Sequence, residues 1–244
     1  MDIIGDVGGF VAEFAGSLVF LLGGYAYMCN ITLKKTLVST LNYVELVIAW
    51  SLAVGLGLTT AVIMGGPAYL NPGVVFGNII TGALPVVDAL IYLLMEFLAA
   101  GVAEIVCLVF FWDSFKASKD VSKRGIFSAY PVEKNLGLNF VQEIIATFAF
   151  LFLVFTCLKA TSGDSAALQI GVIGFAAVAI LALTLNSTGF SMNAMRSVFS
   201  SVWFAILPFP NKNGEKVDWS YQLIVNLVGS SIGGVLAVFV TGLF

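Results

Sequence analysis

Six separate stretches of about 20 largely apolar residues fix what this chain can fold into, because an α-helix of that length crosses the ~30 Å hydrocarbon core of a bilayer. They run Val7–Cys29, Tyr43–Met64, Val86–Trp112, Phe140–Lys159, Ala166–Leu185 and Tyr221–Phe244. In lipid every backbone N–H and C=O must be paired inside the structure, which leaves only helices or closed barrels. Uninterrupted runs of this length select helices, so the predicted fold class is an all-α membrane protein. Composition agrees: 59% of the 244 residues are hydrophobic and 10% charged, where a globular protein carries about 25% charged residues. The first stretch bears Asp2, Asp6 and Glu13 with no basic start, which argues against a cleaved secretory leader.

The same counts remove several function classes. With no histidine the commonest catalytic base and metal ligand is missing, and no Ser/His/Asp or Cys/His arrangement can be built. Cys29, Cys107 and Cys157 lie in or at the ends of apolar runs without metal-site spacing, so they read as packed free thiols. The net charge of −3 carries no basic footprint for nucleic acid. The chain is therefore expected to be no enzyme, to hold no metal or cofactor, and to have the lipid bilayer as its main partner.

Two further apolar segments, Asn71–Thr81 and Asn193–Leu207, are each about half a membrane long at ~1.5 Å per residue. Such re-entrant pieces are tolerated only where protein buries them or a water-filled cavity borders them. An internal repeat frames them. Phe10-Val11-Ala12-Glu13 recurs as Phe140-Val141-Gln142-Glu143, Phe20 matches Phe150, and each half later delivers a short segment opening with Asn71 or Asn193. Three spans per half is an odd number, so the halves are inverted, and inverted repeats place their functional site near the midplane where broken helices meet. The expected organisation is one transmembrane channel domain, 1–244, with halves at about 1–112 and 139–244 joined by the polar loop 113–138.

A charge at the bilayer centre costs several kcal/mol and marks function by default. Arg196 is the one basic residue inside an apolar stretch, against Glu13, Glu45, Glu96, Glu104 and Glu143. It reads as a pore cation, the alternative being a structural ion pair with one of the glutamates. Glu13 and Glu143, at matched repeat positions, read as scaffold that accepts hydrogen bonds from the re-entrant backbone.

Tyr69-Leu70-Asn71-Pro72-Gly73-Val74 and Gly189-Phe190-Ser191-Met192-Asn193-Ala194-Met195-Arg196-Ser197 resemble the two Asn-Pro-Ala boxes of the aquaporin, or major intrinsic protein, superfamily, and the resemblance covers the whole chain. Glu13 and Glu143 match the glutamates of that family's first and fourth helices, and Glu96 stands where its third helix usually has glutamine. The boxes here read Asn71-Pro72-Gly73, preceded by an apparent extra residue at Pro67, and Asn193-Ala194-Met195. Proline suits the first helical position of the first box; Ala194 is an excellent helix former, so the second half-helix should form without one. What the missing proline removes is the proline-on-proline contact by which the family joins its half-helices.

The resemblance implies six transmembrane helices and two half-helices, a passive pore for water and small uncharged solutes such as glycerol, a constriction formed by Trp50, Leu181, Phe190 and Arg196, and ion exclusion by Arg196 and the half-helix dipoles. Trp50, Phe190 and the loop Gly125-Ile126-Phe127-Ser128-Ala129-Tyr130-Pro131 are similar to aquaglyceroporins. Ser197, and Leu181 in place of a glycine, point to the water-selective channels, and Asn226-Leu227 matches neither group. The alternatives are a water-selective channel of this fold, a secondary transporter, or a non-conducting structural or junction protein. The family's homotetramer and plasma-membrane location with cytoplasmic termini are implied as well. The positive-inside count opposes that orientation, since Lys34, Lys35, Lys116, Lys119, Lys123, Arg124 and Lys134 all fall on the side the family places outside, against Lys159 on the other.

Overall fold

A computed structural model describes residues 6–38, 42–159, 165–212 and 214–243; Asp2 and Phe244 lie outside them. In chain order the helices are α1 (Val7–Thr32), α2 (Tyr43–Ile63), α3 (Pro72–Ile80), α4 (Val86–Phe110), α5 (Trp112–Ala117), α6 (Arg124–Phe127), α7 (Leu136–Leu158), α8 (Ala166–Thr184), α9 (Met195–Ile206) and α10 (Trp219–Gly242). Six of these, α1, α2, α4, α7, α8 and α10, are long and apolar enough to cross a membrane. Their ends fall within a few residues of the sequence expectation, the largest shift being α7, which starts at Leu136 instead of Phe140.

The helix starts follow from side chains that satisfy otherwise unpaired N–H groups. Asp6 accepts from Gly9 N, Asn42 from Val44 N, and Asn135 from Leu138 N, at 2.9, 3.0 and 3.1 Å. Both half-helices start the same way: Asn71 Oδ1 accepts from Gly73 N at 3.0 Å and Asn193 Oδ1 from Met195 N at 2.9 Å. Asn71 has Pro72 behind it in the first helical turn. In α9 the helix forms without proline, as the alanine allows, and opens with wider π-helical turns over Met195–Phe199.

Small residues let these helices approach until backbone meets backbone, the usual packing device in lipid. A Cβ on Gly16 of α1 would lie 2.7 Å from Gly57 O of α2, one on Gly55 of α2 2.6 Å from Gly171 O of α8, and one on Gly234 of α10 2.7 Å from Gly73 of α3. Large apolar side chains turn outward instead. Ile48, Leu52 and Leu56, one turn apart on α2, are 44%, 50% and 57% exposed, while Glu13, Glu96, Glu104, Glu143 and Arg196 are buried. This inside-out distribution of polarity belongs to a multi-pass integral membrane protein. α1 packs on α2 and α4, α7 on α8 and α10, and each half-helix lodges against both α4 and α10.

The long polar insert is folded down rather than loose. Fully buried Lys123 donates to the carbonyls of Ser118, Val121 and Asn211 at 2.7, 2.8 and 2.9 Å, so one ammonium ties the 113–135 insert to the 207–218 loop. Burial pulls its pKa below the ordinary lysine range, opposed by Glu215 and Asp120. Glu215 accepts from the Lys123 and Arg124 N–H groups and the Ser122 hydroxyl. Lys34 pairs with Asp120 at 2.6 Å, and Lys134 pairs with Asp218. Burial opposes ionisation of Asp218, yet hydrogen bonds from Lys134, the Ser220 hydroxyl and Tyr221 N hold its pKa below the ordinary aspartate range. Among the cysteines, Cys29 and Cys107 are buried, but Cys157 is exposed on α7, which corrects the expectation that all three are packed.

Candidate functional site

The segments leading into the half-helices carry the site. In each, two non-glycine residues occupy the left-handed region: Ala68 and Leu70 (φ 55° and 46°) before α3, and Phe190 and Met192 (φ 59° and 48°) before α9. Each such residue costs on the order of 1–3 kcal/mol and persists only where its surroundings enforce it. The enforcement comes from the two matched glutamates. Glu13 accepts from Tyr69 N at 3.1 Å and from Leu70 N at 2.5 Å. Glu143 accepts from Met192 N at 2.6 Å and from the Thr188 hydroxyl at 2.7 Å.

The two segments also hold each other. Asn71 Nδ2 donates to Met192 O at 2.9 Å and Asn193 Nδ2 donates to Leu70 O at 2.7 Å. This reciprocal pair joins the half-helices where the second box lacks its proline. A primary amide has two hydrogens, so each asparagine keeps one outside this pair. Of the six box residues, Asn71 and Asn193 line the central cavity, whereas Pro72, Gly73, Ala194 and Met195 are buried behind it.

That cavity has a volume of about 510 Å³ and is walled mostly by apolar side chains, among them Phe20, Leu58, Phe150, Val154 and Ile170. Its polar lining includes Asn71, Asn78 and Asn193 and the segments 67–71 and 190–193. Trp50, Phe190 and Arg196 line it together, and the Arg196 guanidinium lies over the Trp50 ring with Cζ 4.5 Å from its centroid. Arg196 is 7% exposed, and among the described residues Nε and Nη1 have no hydrogen-bond partner and no carboxylate pairs with it. The structural ion pair is thus not formed. The arginine's own carbonyl is held at 2.9 Å by the Tyr25 hydroxyl, which also meets Ser200.

One expected wall residue stands elsewhere. Leu181 does not line the cavity: it packs with Ala146 and Met192, against Phe190, and Val178, almost one turn earlier on α8, reaches the wall instead. Glu96 is fully buried against Glu13 and the Asn71 backbone, at the entry to α3, though its oxygens make no hydrogen bond as well formed as those that Glu13 makes. Ser197 is off the wall as well. Its hydroxyl meets Ser191 Oγ at 2.7 Å and accepts from Ala129 N at 3.4 Å. Gln222 and Asn226 of α10 both donate to Ala129 O at 3.1 Å. These residues fasten the 125–131 loop beside Arg196, a role no motif announced.

A model of the "Major intrinsic protein" family matches residues 4–241. The chain belongs to the major intrinsic protein family. Among curated members of the family it is 32% identical to glycerol uptake facilitator protein 2 of Lactiplantibacillus plantarum, over 94% of this chain and 96% of the relative. It is 27% identical to the D/L-lactic acid transporter of the same organism, over 96% and 97%. In fold it is similar to the aquaglyceroporin of Plasmodium falciparum, with a TM-score of 0.79, 19% identity and coverage of 96% of this chain and 95% of that one. As a major intrinsic protein it has both half-helices in place despite the altered boxes, with the paired asparagine bonds linking them.

Proposed function

We propose that this major intrinsic protein is a passive channel for water and for glycerol or similarly small uncharged polyols, and that it excludes ions. The observation carrying this reading is the lining shared by Trp50, Phe190 and Arg196. Two aromatic side chains on the wall suit the CH groups of a polyol, while the unpaired Nε–H and Nη1–H of Arg196 suit its hydroxyls. The similarity to glycerol uptake facilitator protein 2 supports the substrate class. Helix N-termini carry about half a positive charge each, and the cross-linked starts of α3 and α9 bring two of them together. With Arg196 they oppose a passing cation, while the free amide hydrogens of Asn71 and Asn193 orient a passing water.

Ser197 ties a loop and does not face the cavity, so it gives no support to the water-selective alternative. The insert side faces outward in this reading, placing both termini in the cytoplasm of a cell whose plasma membrane holds the channel as a homotetramer. The buried Lys123 and the paired Lys34 and Lys134 support it, since these cations are tied into the folded cap.

Stopped-flow light scattering on proteoliposomes under matched water and glycerol gradients tests the proposal. Expected are water and glycerol fluxes both above those of protein-free vesicles. Fast water with lipid-level glycerol would establish the water-selective alternative, saturable ion-coupled uptake a transporter, and no added permeability a non-conducting protein.

The placement of Leu181 adds a prediction. Leu181→Gly opens a void behind Phe190, as Leu→Ala changes do at a cost of about 2–5 kcal/mol, and gives that ring space to retreat. Glycerol permeability should rise more than water permeability while thermal stability falls. An unchanged ratio in folded protein would show that Phe190 does not limit the larger solute.

A further inference from the structure

Gly24 lies in the interior of α1, where alanine would be the better helix former. A Cβ built there would sit 2.1 Å from Cζ3, 2.4 Å from Cη2 and 2.5 Å from Cε3 of Trp50. Those are consecutive ring carbons at nearly equal distances, so the absent methyl belongs over the face of the six-membered ring and not at its rim. The indole has little freedom to slide aside: Trp50 is 4% exposed, and Phe20 and Tyr25 meet it edge-on with centroids 6.0 and 5.9 Å away. Gly24 is not on the cavity wall, whereas Trp50 is, together with Phe190 and Arg196. A group added at Gly24 therefore drives the ring away from α1 and into the path.

We propose that Gly24 is a specificity-determining residue of this channel: by having no side chain it lets Trp50 lie back against α1, and so sets the width of the constriction. The inference rests on the reading of Trp50 as a wall of the solute path. It differs from the role of Gly16, whose missing side chain admits the backbone of α2; at Gly24 the three nearest atoms are all carbons of the indole.

The test compares wild type, Gly24→Ala, Trp50→Leu and the double variant in proteoliposomes, reading the ratio of glycerol to water permeability, with thermal midpoints in detergent. Gly8→Ala, where a Cβ meets nothing within 4 Å, controls for an added methyl on α1. Gly24→Ala should lower glycerol permeability about tenfold, the scale of an overpacked methyl, and water less than about threefold. With Trp50→Leu already present, adding Gly24→Ala should leave the ratio within about twofold and should not lower the midpoint, because the clash is gone and only alanine's helix preference remains. If Trp50→Leu shifts the ratio but Gly24→Ala does not, the role of Gly24 is overturned while that of Trp50 stands. If Trp50→Leu itself leaves the ratio unchanged, the reading of Trp50 falls and takes this inference with it. Should Gly24→Ala not fold, a double variant that folds with the Trp50→Leu ratio supports the indole clash, and a double variant that also fails overturns it.

Discussion

Glu13→Ala is expected to abolish the folded channel. Its two oxygens accept the Tyr69 and Leu70 N–H groups in a fully buried site, where no water stands ready to replace them. Each orphaned buried N–H costs about 1–3 kcal/mol. The same two bonds hold Ala68 and Leu70 in the left-handed region, and without them the strain the native loop already carries favours its relaxing to another shape. Two orphaned groups, about 2–6 kcal/mol together, reach the lower end of the whole stability of an ordinary domain, about 5–15 kcal/mol. Little monodisperse protein should survive in detergent, and reconstituted vesicles should pass water at the rate of lipid alone. Glu13→Gln keeps one carbonyl acceptor and should give a folded but less stable protein. Glu143→Ala should be milder than Glu13→Ala, because one of its two partners is the Thr188 hydroxyl, which can rotate to another acceptor, leaving Met192 N as the single orphaned backbone group. A Glu13→Ala protein with wild-type yield, midpoint and water flux would show that the loop holds its shape unaided.

The architecture was legible because lipid leaves few options. Span lengths, the half-length segments and the asparagine caps are all local signals, and Asn71 and Asn193 start their helices as an asparagine before an apolar turn should. The repeat made Glu13 and Glu143 legible as acceptors for loop backbone. What resisted reading depends on register or on three-dimensional closure. One turn of α8 separates Val178 on the wall from Leu181 behind it, and in a helix apolar all round nothing in the sequence says which face is inward. Ala68, Leu70, Phe190 and Met192 take left-handed conformations with no glycine or asparagine to announce them. Lys123 resembles any surface lysine until the carbonyls of Ser118, Val121 and Asn211 converge on it. Glu96 stands beside Glu13 and the Asn71 backbone, but position alone did not say that its contact there is looser than that of Glu13.

Arg196→Val should let protons or small cations through a channel that still folds. Arg196 makes no direct ion pair among the described residues, and Glu143, the buried carboxylate it acts on at longer range, keeps its own hydrogen bonds to Met192 N and the Thr188 hydroxyl. The Tyr25 hydroxyl bonds the residue's backbone carbonyl, which valine keeps, so α9 stays anchored. On the proposed reading, a cation passing about 4 Å from the guanidinium meets about 4 kcal/mol of repulsion at an effective dielectric of ~20. Lifting that barrier corresponds to nearly a thousandfold in rate at about 1.4 kcal/mol per tenfold. The measured gain will be smaller, because the converging half-helix ends remain and each contributes about half a positive charge. Glycerol should lose its hydroxyl partner but gain room, so its flux changes less than ion flux does. Arg196→Lys separates the two functions: it keeps the charge, and with it ion exclusion, but lacks the planar fork of donors and should alter the glycerol to water ratio. Acidification of vesicles loaded with a pH-sensitive dye, followed beside solute flux on the same preparations, reads both. A folded Arg196→Val protein with wild-type ion exclusion and an unchanged solute ratio would remove the arginine from the path, and would leave the half-helix ends as the sole barrier to cations.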